Sequence, residues 1–184
     1  MELTEKTLSS APAFEGRLLH LRIDSVQLPD GTTAQREIIE HPGGVGIVAL
    51  TEAREVLLVQ QYRHPYGSIL TEIPAGKREP GEPPLLTGQR ELAEETGYQA
   101  AHFTPLGTVY PTPGYCDEVI HLYMATGLQP IEAHPDADEF LHVLRRPLDT
   151  LVEQILAGEI PDAKTQIAVL KVHHLLTNTQ EKGV

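Results

Sequence analysis

The sequence predicts an α/β fold: a sandwich of helices on a mixed sheet, preceded by a small N-terminal β unit. Three observations predict it. Short apolar or alternating runs, bounded by Pro, Gly and Asp, lie on both sides of one central Glu-rich helical stretch. Two more helical patterns close the chain. Ahead of the main body, the turn signal Pro29-Asp30-Gly31 joins two β-like runs. Strands flanking one helix, with two helices at the end, bury their apolar faces as layers of helix on sheet.

In chain order, residues 1–13 are polar and read as a frayed start. From Glu15 to His41 the alternation of Leu19, Leu21 and Ile23, the Pro-Asp-Gly turn and the run Thr32–Glu40 read as a hairpin. An isolated hairpin is marginal in water, so it must pack on another surface. Pro42-Gly43-Gly44 is a break, which divides the chain into residues 1–42 and 43–184. Val45–Leu50 is a buried strand by its β-branching, and Glu55–Tyr62 is the next strand after a turn. Arg63–Gly67 is a loop, and Leu70–Ile73 is a strand leading into Pro74-Ala75-Gly76. Strands follow at 101–109, 119–125 and 140–144, with an acidic loop, Ala133–Glu139, before the last. An amphipathic helix spans 147–157 and is stopped by Gly158. Asp162 caps a final helix that runs to about Thr177, with Ile167, Leu170 and His174 on one side.

The central stretch, Gly76–Tyr98, carries the chemistry. A helix from about Pro83 to Thr96, with Gly97 past its end, fits the preference for Pro at the start and Gly at the stop. Leu85, Leu86, Leu92 and Ala93 supply its buried side. Glu91 and Glu95 stand four residues apart, so their carboxylates stack on one face, with Glu94 one step round. Stacked like charges repel by a few tenths of a kcal/mol even on an exposed helix. A solvated acidic face is the bland reading. A hard divalent cation is the functional one, because Mg²⁺ takes oxygen ligands, commonly one or two carboxylates plus substrate phosphates.

The full spacing favours the cation. Gly76-x5-Glu82-x7-Arg90-Glu91-x2-Glu94-Glu95-x-Gly97 resembles the Nudix box at every fixed position. Tyr98 stands where an aliphatic residue is more usual, and Thr87 and Gly88 where small helix formers are. Gly88 should cost about 1 kcal/mol relative to Ala. The resemblance extends over the chain after Glu15 and implies a Nudix-type α/β/α sandwich. It also implies a loop–helix–loop binding Mg²⁺ or Mn²⁺ and cleavage of a nucleoside diphosphate linked to another group.

Carried over position by position, the resemblance makes Glu91 and Glu95 metal ligands, with Ala75 offering its carbonyl and Glu94 adjacent. Arg90 orients the box through Glu82. Arg63 and Glu72 belong to the substrate and metal site, and Glu118 lies near it. Taken alone, Arg63 could be a surface arginine and Glu72 a solvent-facing strand residue. Pro113, in Pro113-Gly114, stands at a distance after the box that resembles the marker of ADP-ribose pyrophosphatases, although a Pro-Gly turn is commonplace by itself. The water-activating carboxylate in this branch comes from an acidic loop. Here Glu139 is favoured, with Asp138 and Asp136 as rivals. The N-terminal unit resembles the segment that pairs subunits in that branch, so a homodimer is expected.

Composition narrows the partners. The formal net charge of −12 disfavours nucleic acid or an anionic membrane surface. An anionic substrate then requires cations and local arginines at the site. The one cysteine, Cys116, excludes an intramolecular disulfide. The first residues lack an apolar run, and no apolar stretch is long enough to span a bilayer, so a cytoplasmic protein is expected. The nine histidines show no zinc spacing. The function expected is metal-dependent hydrolysis of ADP-ribose to AMP and ribose 5-phosphate. Its rivals are a pyrophosphatase for another nucleotide sugar or a dinucleotide, and a non-catalytic nucleotide sensor. The sensor would be expected to have lost box carboxylates, and none is missing.

Overall fold

The structure is a computed structural model that describes residues 2–132 and 140–181, without the side chains of 179–181. The chain forms two compact units, Met1–Gly43 with Tyr110–Val119, and Gly44–Val109 with Ile120–Val184.

The first unit is a three-stranded antiparallel sheet: β1 (Lys6–Glu15), β2 (His20–Gln27) and β3 (Thr33–Glu40), in the order β1-β2-β3. The hairpin of β2 and β3 is as the sequence predicts. Asp30 closes its turn, accepting from the Thr32 N–H at 2.9 Å and the Thr32 hydroxyl at 2.6 Å. Gly31 supplies the φ of 85°. β1 was not foreseen, because KTLSSAPAFE is exposed throughout and has no apolar alternation. Its pairing rests on backbone bonds, and Pro12 is tolerated on an edge strand. Tyr110–Val119 also belongs to this unit: Ile39 donates to the Tyr115 carbonyl at 2.8 Å, and the His41 N–H donates to Asp117 Oδ1 at 2.7 Å.

The second unit holds a seven-stranded mixed sheet of β4 (Gly44–Leu50), β5 (Glu55–Arg63), β6 (Ser68–Glu72), β7 (Ala75–Lys77), β8 (Tyr98–Val109), β9 (Ile120–Pro130) and β10 (His142–Pro147). The path is β10-β5-β4-β9-β8, with β6 on β5 and β7 on β4. Only β4 and β9 pair in parallel. β7 is too short to show a sequence pattern, and β10 begins two residues later than the pattern at 140–144 predicts.

Helices cover both faces. β4 is buried throughout and its side chains alternate. Val45, Ile47 and Ala49 pack with Leu92 of α1 (Pro84–Thr96). Val48 and Leu50 pack with α2 (Leu148–Leu156) and α3 (Ala163–Glu181). This is the α/β/α sandwich expected.

Two helix faces differ from expectation. On α3 the buried stripe is Thr165, Ala168, Val169 and Val172, while Ile167 is exposed and Leu170 only partly buried. On α1, Leu85 and Leu86 are exposed, and the buried face is Thr87, Gly88, Glu91, Leu92, Glu95 and Thr96. The helix therefore turns its carboxylates inward, where β7 rather than solvent meets them. Gly88 has a packing reason: a Cβ there would lie 3.1 Å from Val45 Cγ1, so its absence brings the helix close to β4.

Candidate active site

The site is built on β7, the loop after it, and α1. Pro83 is extended and Pro84 opens the helix, and Gly97 closes it in the left-handed conformation with φ 69° and an N–H to the Ala93 carbonyl. The helix holds Glu91 and Glu95 against β7, at 8% and 6% exposure. A Cβ on Gly76 would fall 1.9 Å from the Glu91 carboxyl carbon, so the glycine is the cradle in which that carboxylate rests. Glu95 Oε2 accepts the Ala75 N–H at 2.9 Å. Three residues that the sequence assigns to cation binding, Ala75, Glu91 and Glu95, thus lie together.

Arg90 joins the loop to the helix. Its Nε and Nη2 donate to the two Glu82 oxygens at 3.2 Å. Its Nη1 donates to Glu91 Oε1 at 2.8 Å and to Glu94 Oε2 at 3.0 Å. Nη2 also reaches the Lys77 carbonyl at 3.2 Å. The planar fork suits this work, since no ammonium could serve so many acceptors in fixed directions. Glu82 also accepts the Thr87 hydroxyl at 2.7 Å and the Glu79 N–H at 3.1 Å. The Arg90 guanidinium first, then the Thr87 hydroxyl and the Glu79 amide, holds the Glu82 carboxyl down at about 2. Thr87, unusual at its place in the box, is therefore buried with a partner.

A second ion-paired group lies at the end of β5 and β6. Arg63 grips Glu72 in bidentate fashion, Nε to Oε1 at 2.7 Å and Nη2 to Oε2 at 2.9 Å. Glu72 is 2% exposed, so it is not the solvent-facing strand residue of the bland reading. Burial by itself would push its carboxyl up. The bonds and charges of Arg63 and Lys164 outweigh that and hold it at about 2. Arg63 is only partly covered, and the charge of Glu95 reaches it.

Lys164, Asp162 and Thr165 complete this group, and the sequence reading missed all but the capping role of Asp162. Lys164 donates to Glu72 Oε2 and, at 2.9 Å, to Asp162 Oδ1. Asp162 Oδ2 accepts the Thr165 N–H at 2.9 Å, and the Thr165 hydroxyl accepts the Ile73 N–H at 2.9 Å. One signal was present in the sequence. A lysine in the first turn opposes the helix dipole, so it implies a compensating carboxylate.

The remaining sequence-assigned residues come from other segments of the chain. Pro113, Gly114 and Glu118 belong to the first unit. Pro113 and Gly114 form an exposed turn, and Glu118 Oε1 stands 3.5 Å from His41 Nδ1. Glu139, Asp138 and Asp136 lie outside the described residues.

The donor set fits a divalent cation. It is all oxygen, it is buried, and a glycine is spent on making room for it. Among the described residues no group of three or more His, Cys, Asp and Glu forms a closed cage. Two carboxylates are what Mg²⁺ takes when phosphate oxygens and water complete its shell.

The chain is similar to known proteins over most of its length. The NUDIX domain pattern matches residues 40–167, and the nucleoside diphosphate sugar hydrolase N-terminal domain matches residues 5–39. A methanol dehydrogenase activator from Bacillus methanolicus is 44% identical over 90% of this chain and 90% of its own. An ADP-ribose pyrophosphatase from Bacillus subtilis is 39% identical over 91% of each. The crystal structure of an ADP compounds hydrolase superposes with a TM-score of 0.86 over 97% of this chain and 98% of that one. At 22% identity this speaks for the fold alone.

Proposed function

The chain belongs to the Nudix family, and from that premise we propose that it hydrolyses the diphosphate of ADP-ribose to AMP and ribose 5-phosphate, with Mg²⁺ or Mn²⁺. The observation that carries the chemistry is the pair of buried, stacked carboxylates, Glu91 and Glu95, seated on Gly76 and Ala75. The choice of ADP-ribose is supported by the relative of that activity, which covers nearly the whole chain.

Glu91 and Glu95, with the Ala75 carbonyl and Glu94 beside them, would hold the cation. When bound, a divalent ion neutralises the diphosphate, polarises phosphorus and makes a bound water more acidic. Arg90 keeps Glu91 and Glu94 in place through fixed bonds, so the site is organised before substrate arrives. Arg63, tied to Glu72 on one edge, presents the rest of its fork to a phosphate oxygen. Pro113, Gly114 and Glu118 are assigned to the substrate side. Glu139 takes the proton from the attacking water. A P–O bond forms to that water, and the P–O bond to the leaving phosphate breaks.

The direct test incubates purified protein with ADP-ribose and Mg²⁺ and separates the products by anion-exchange chromatography. Equal amounts of AMP and ribose 5-phosphate are expected, with ADP-glucose, GDP-mannose and a dinucleotide as comparison substrates. Faster cleavage of one of these would move the assignment to that substrate. A second reading takes its support from the Bacillus methanolicus relative, named as an activator of methanol dehydrogenase. On that reading the protein stimulates a partner dehydrogenase, which an assay of such an enzyme with and without added protein decides.

A further inference from the structure

The first turn of α3 reaches the carboxylate that holds Arg63, and, resting on the activity proposed above, we propose that Lys164 is a positioning residue for substrate binding. It takes part of the Glu72 charge, so that Arg63 stays available to the substrate diphosphate.

The geometry carries this. Glu72 Oε1 is occupied by Arg63 Nε, and Oε2 is shared between Arg63 Nη2 and Lys164 Nζ. Lys164 is itself fixed, since its second partner, Asp162, caps α3 through the Thr165 N–H. Its side chain is 14% exposed, a burial that a lysine tolerates only when paired. Arg63 and Lys164 face Glu72 and Asp162, and the charge of Glu95 also reaches Arg63. Without Lys164, two carboxylates face one guanidinium, and Glu72 is buried with a single partner. Arg63 is then drawn inward by uncompensated charge at the moment it must serve an anion.

Thr165 is the uncharged neighbour against which the charge of Lys164 is compared. Its hydroxyl accepts the Ile73 N–H and donates to Asp162 Oδ2, so it pins the backbone next to Glu72 and shares the second partner of Lys164 while carrying no charge itself. Lys164 and Thr165 thus both join Asp162 to the end of β6, Lys164 through the Glu72 charge and Thr165 through the Ile73 N–H.

The test compares wild type, Lys164→Met, Lys164→Arg and Thr165→Val in steady-state hydrolysis of ADP-ribose at saturating Mg²⁺. Binding of ADP-ribose is also measured by calorimetry in metal-free buffer, where turnover does not interfere. For Lys164→Met the expected result is a KM raised about tenfold with kcat within about threefold, the signature of lost uniform binding. The calorimetric Kd should weaken in parallel. Lys164→Arg should recover most of the loss. Thr165→Val should lower the melting temperature and raise KM less than the uncharged Lys164 variants do. Lys164→Gln carries the same expectation as Lys164→Met if the latter does not fold. A KM within twofold of wild type for the uncharged variants overturns the inference, and so does a rise in Thr165→Val equal to theirs. A wild-type protein inactive on ADP-ribose overturns the activity itself, a different result from active wild type with silent variants.

Discussion

Replacing Gly76 by Ala tests the cradle directly. The new Cβ would lie 1.9 Å from the Glu91 carboxyl carbon and from Oε1, and 2.3 Å from Oε2. Ordinary contact is about 3.5 Å between carbon atoms, so the carboxylate must move by more than about 1 Å. It cannot do so freely, because Arg90 Nη1 holds Oε1 at 2.8 Å. Losing a hydrogen bond to a charged group costs about 1.5–3 kcal/mol, and overpacking costs about 1–3 kcal/mol. A displacement of about 1 Å at a reacting group lowers the rate about 100-fold. Gly76→Ala should therefore reduce kcat about 100-fold at saturating Mg²⁺. The melting temperature should fall by about 2–4 °C for each kcal/mol lost. Gly158→Ala is the control, since its φ of 79° strains the backbone but a Cβ there meets nothing within 4 Å. It should cost stability and no activity. The measurements are AMP release under steady-state conditions and differential scanning calorimetry. Gly76→Ala with kcat within twofold of wild type would refute the claim that Glu91 must sit on that glycine.

Four further outcomes are expected. Glu95→Gln keeps an acceptor for the Ala75 N–H but removes a charge, so turnover should fall by orders of magnitude with unfolding unchanged; near-normal activity at saturating Mg²⁺ would sink its role as a ligand. Glu139→Gln should lower kcat more than ~100-fold with a small change in KM, within the usual range for a general base; a silent Glu139→Gln with a damaged Asp136→Asn or Asp138→Asn would move the base along the loop. The Glu72 carboxyl is lowered from 4.5 to about 2, so its stabilisation is complete above pH 4.5 and is lost as pH falls through about 2; on the order of 3 kcal/mol should disappear across that window, with Glu82 acting in the same direction, and acid titration of the melting temperature checks it. The N-terminal unit should pair two chains, so sedimentation at micromolar concentration should show a dimer, and a monomer would remove that assignment.

The sandwich and the box are legible in the chain before it folds, because both are written in local periods. Val45–Leu50 is an uninterrupted run without a polar side chain, β-branched at Val45, Ile47 and Val48, and Glu91 and Glu95 are one helical turn apart whatever surrounds them. Pro84 suits the start of the helix through its fixed φ, and Gly97 suits the stop because it adopts a positive φ without steric cost. Tertiary structure decided which way the helix faces. Counting apolar residues turns Leu85 and Leu86 inward, whereas contact with β7 buries two carboxylates instead, since Arg90, the Ala75 amide and the Gly76 cradle outweigh their desolvation. It also decided β1, whose strand depends on edge pairing that no side-chain pattern announces. Lys164 lies 92 residues from Glu72 along the chain, and no local rule reports a pairing across that separation. Only the closing of α3 against the end of β6 brings the two charges together, and burial there makes each require the other.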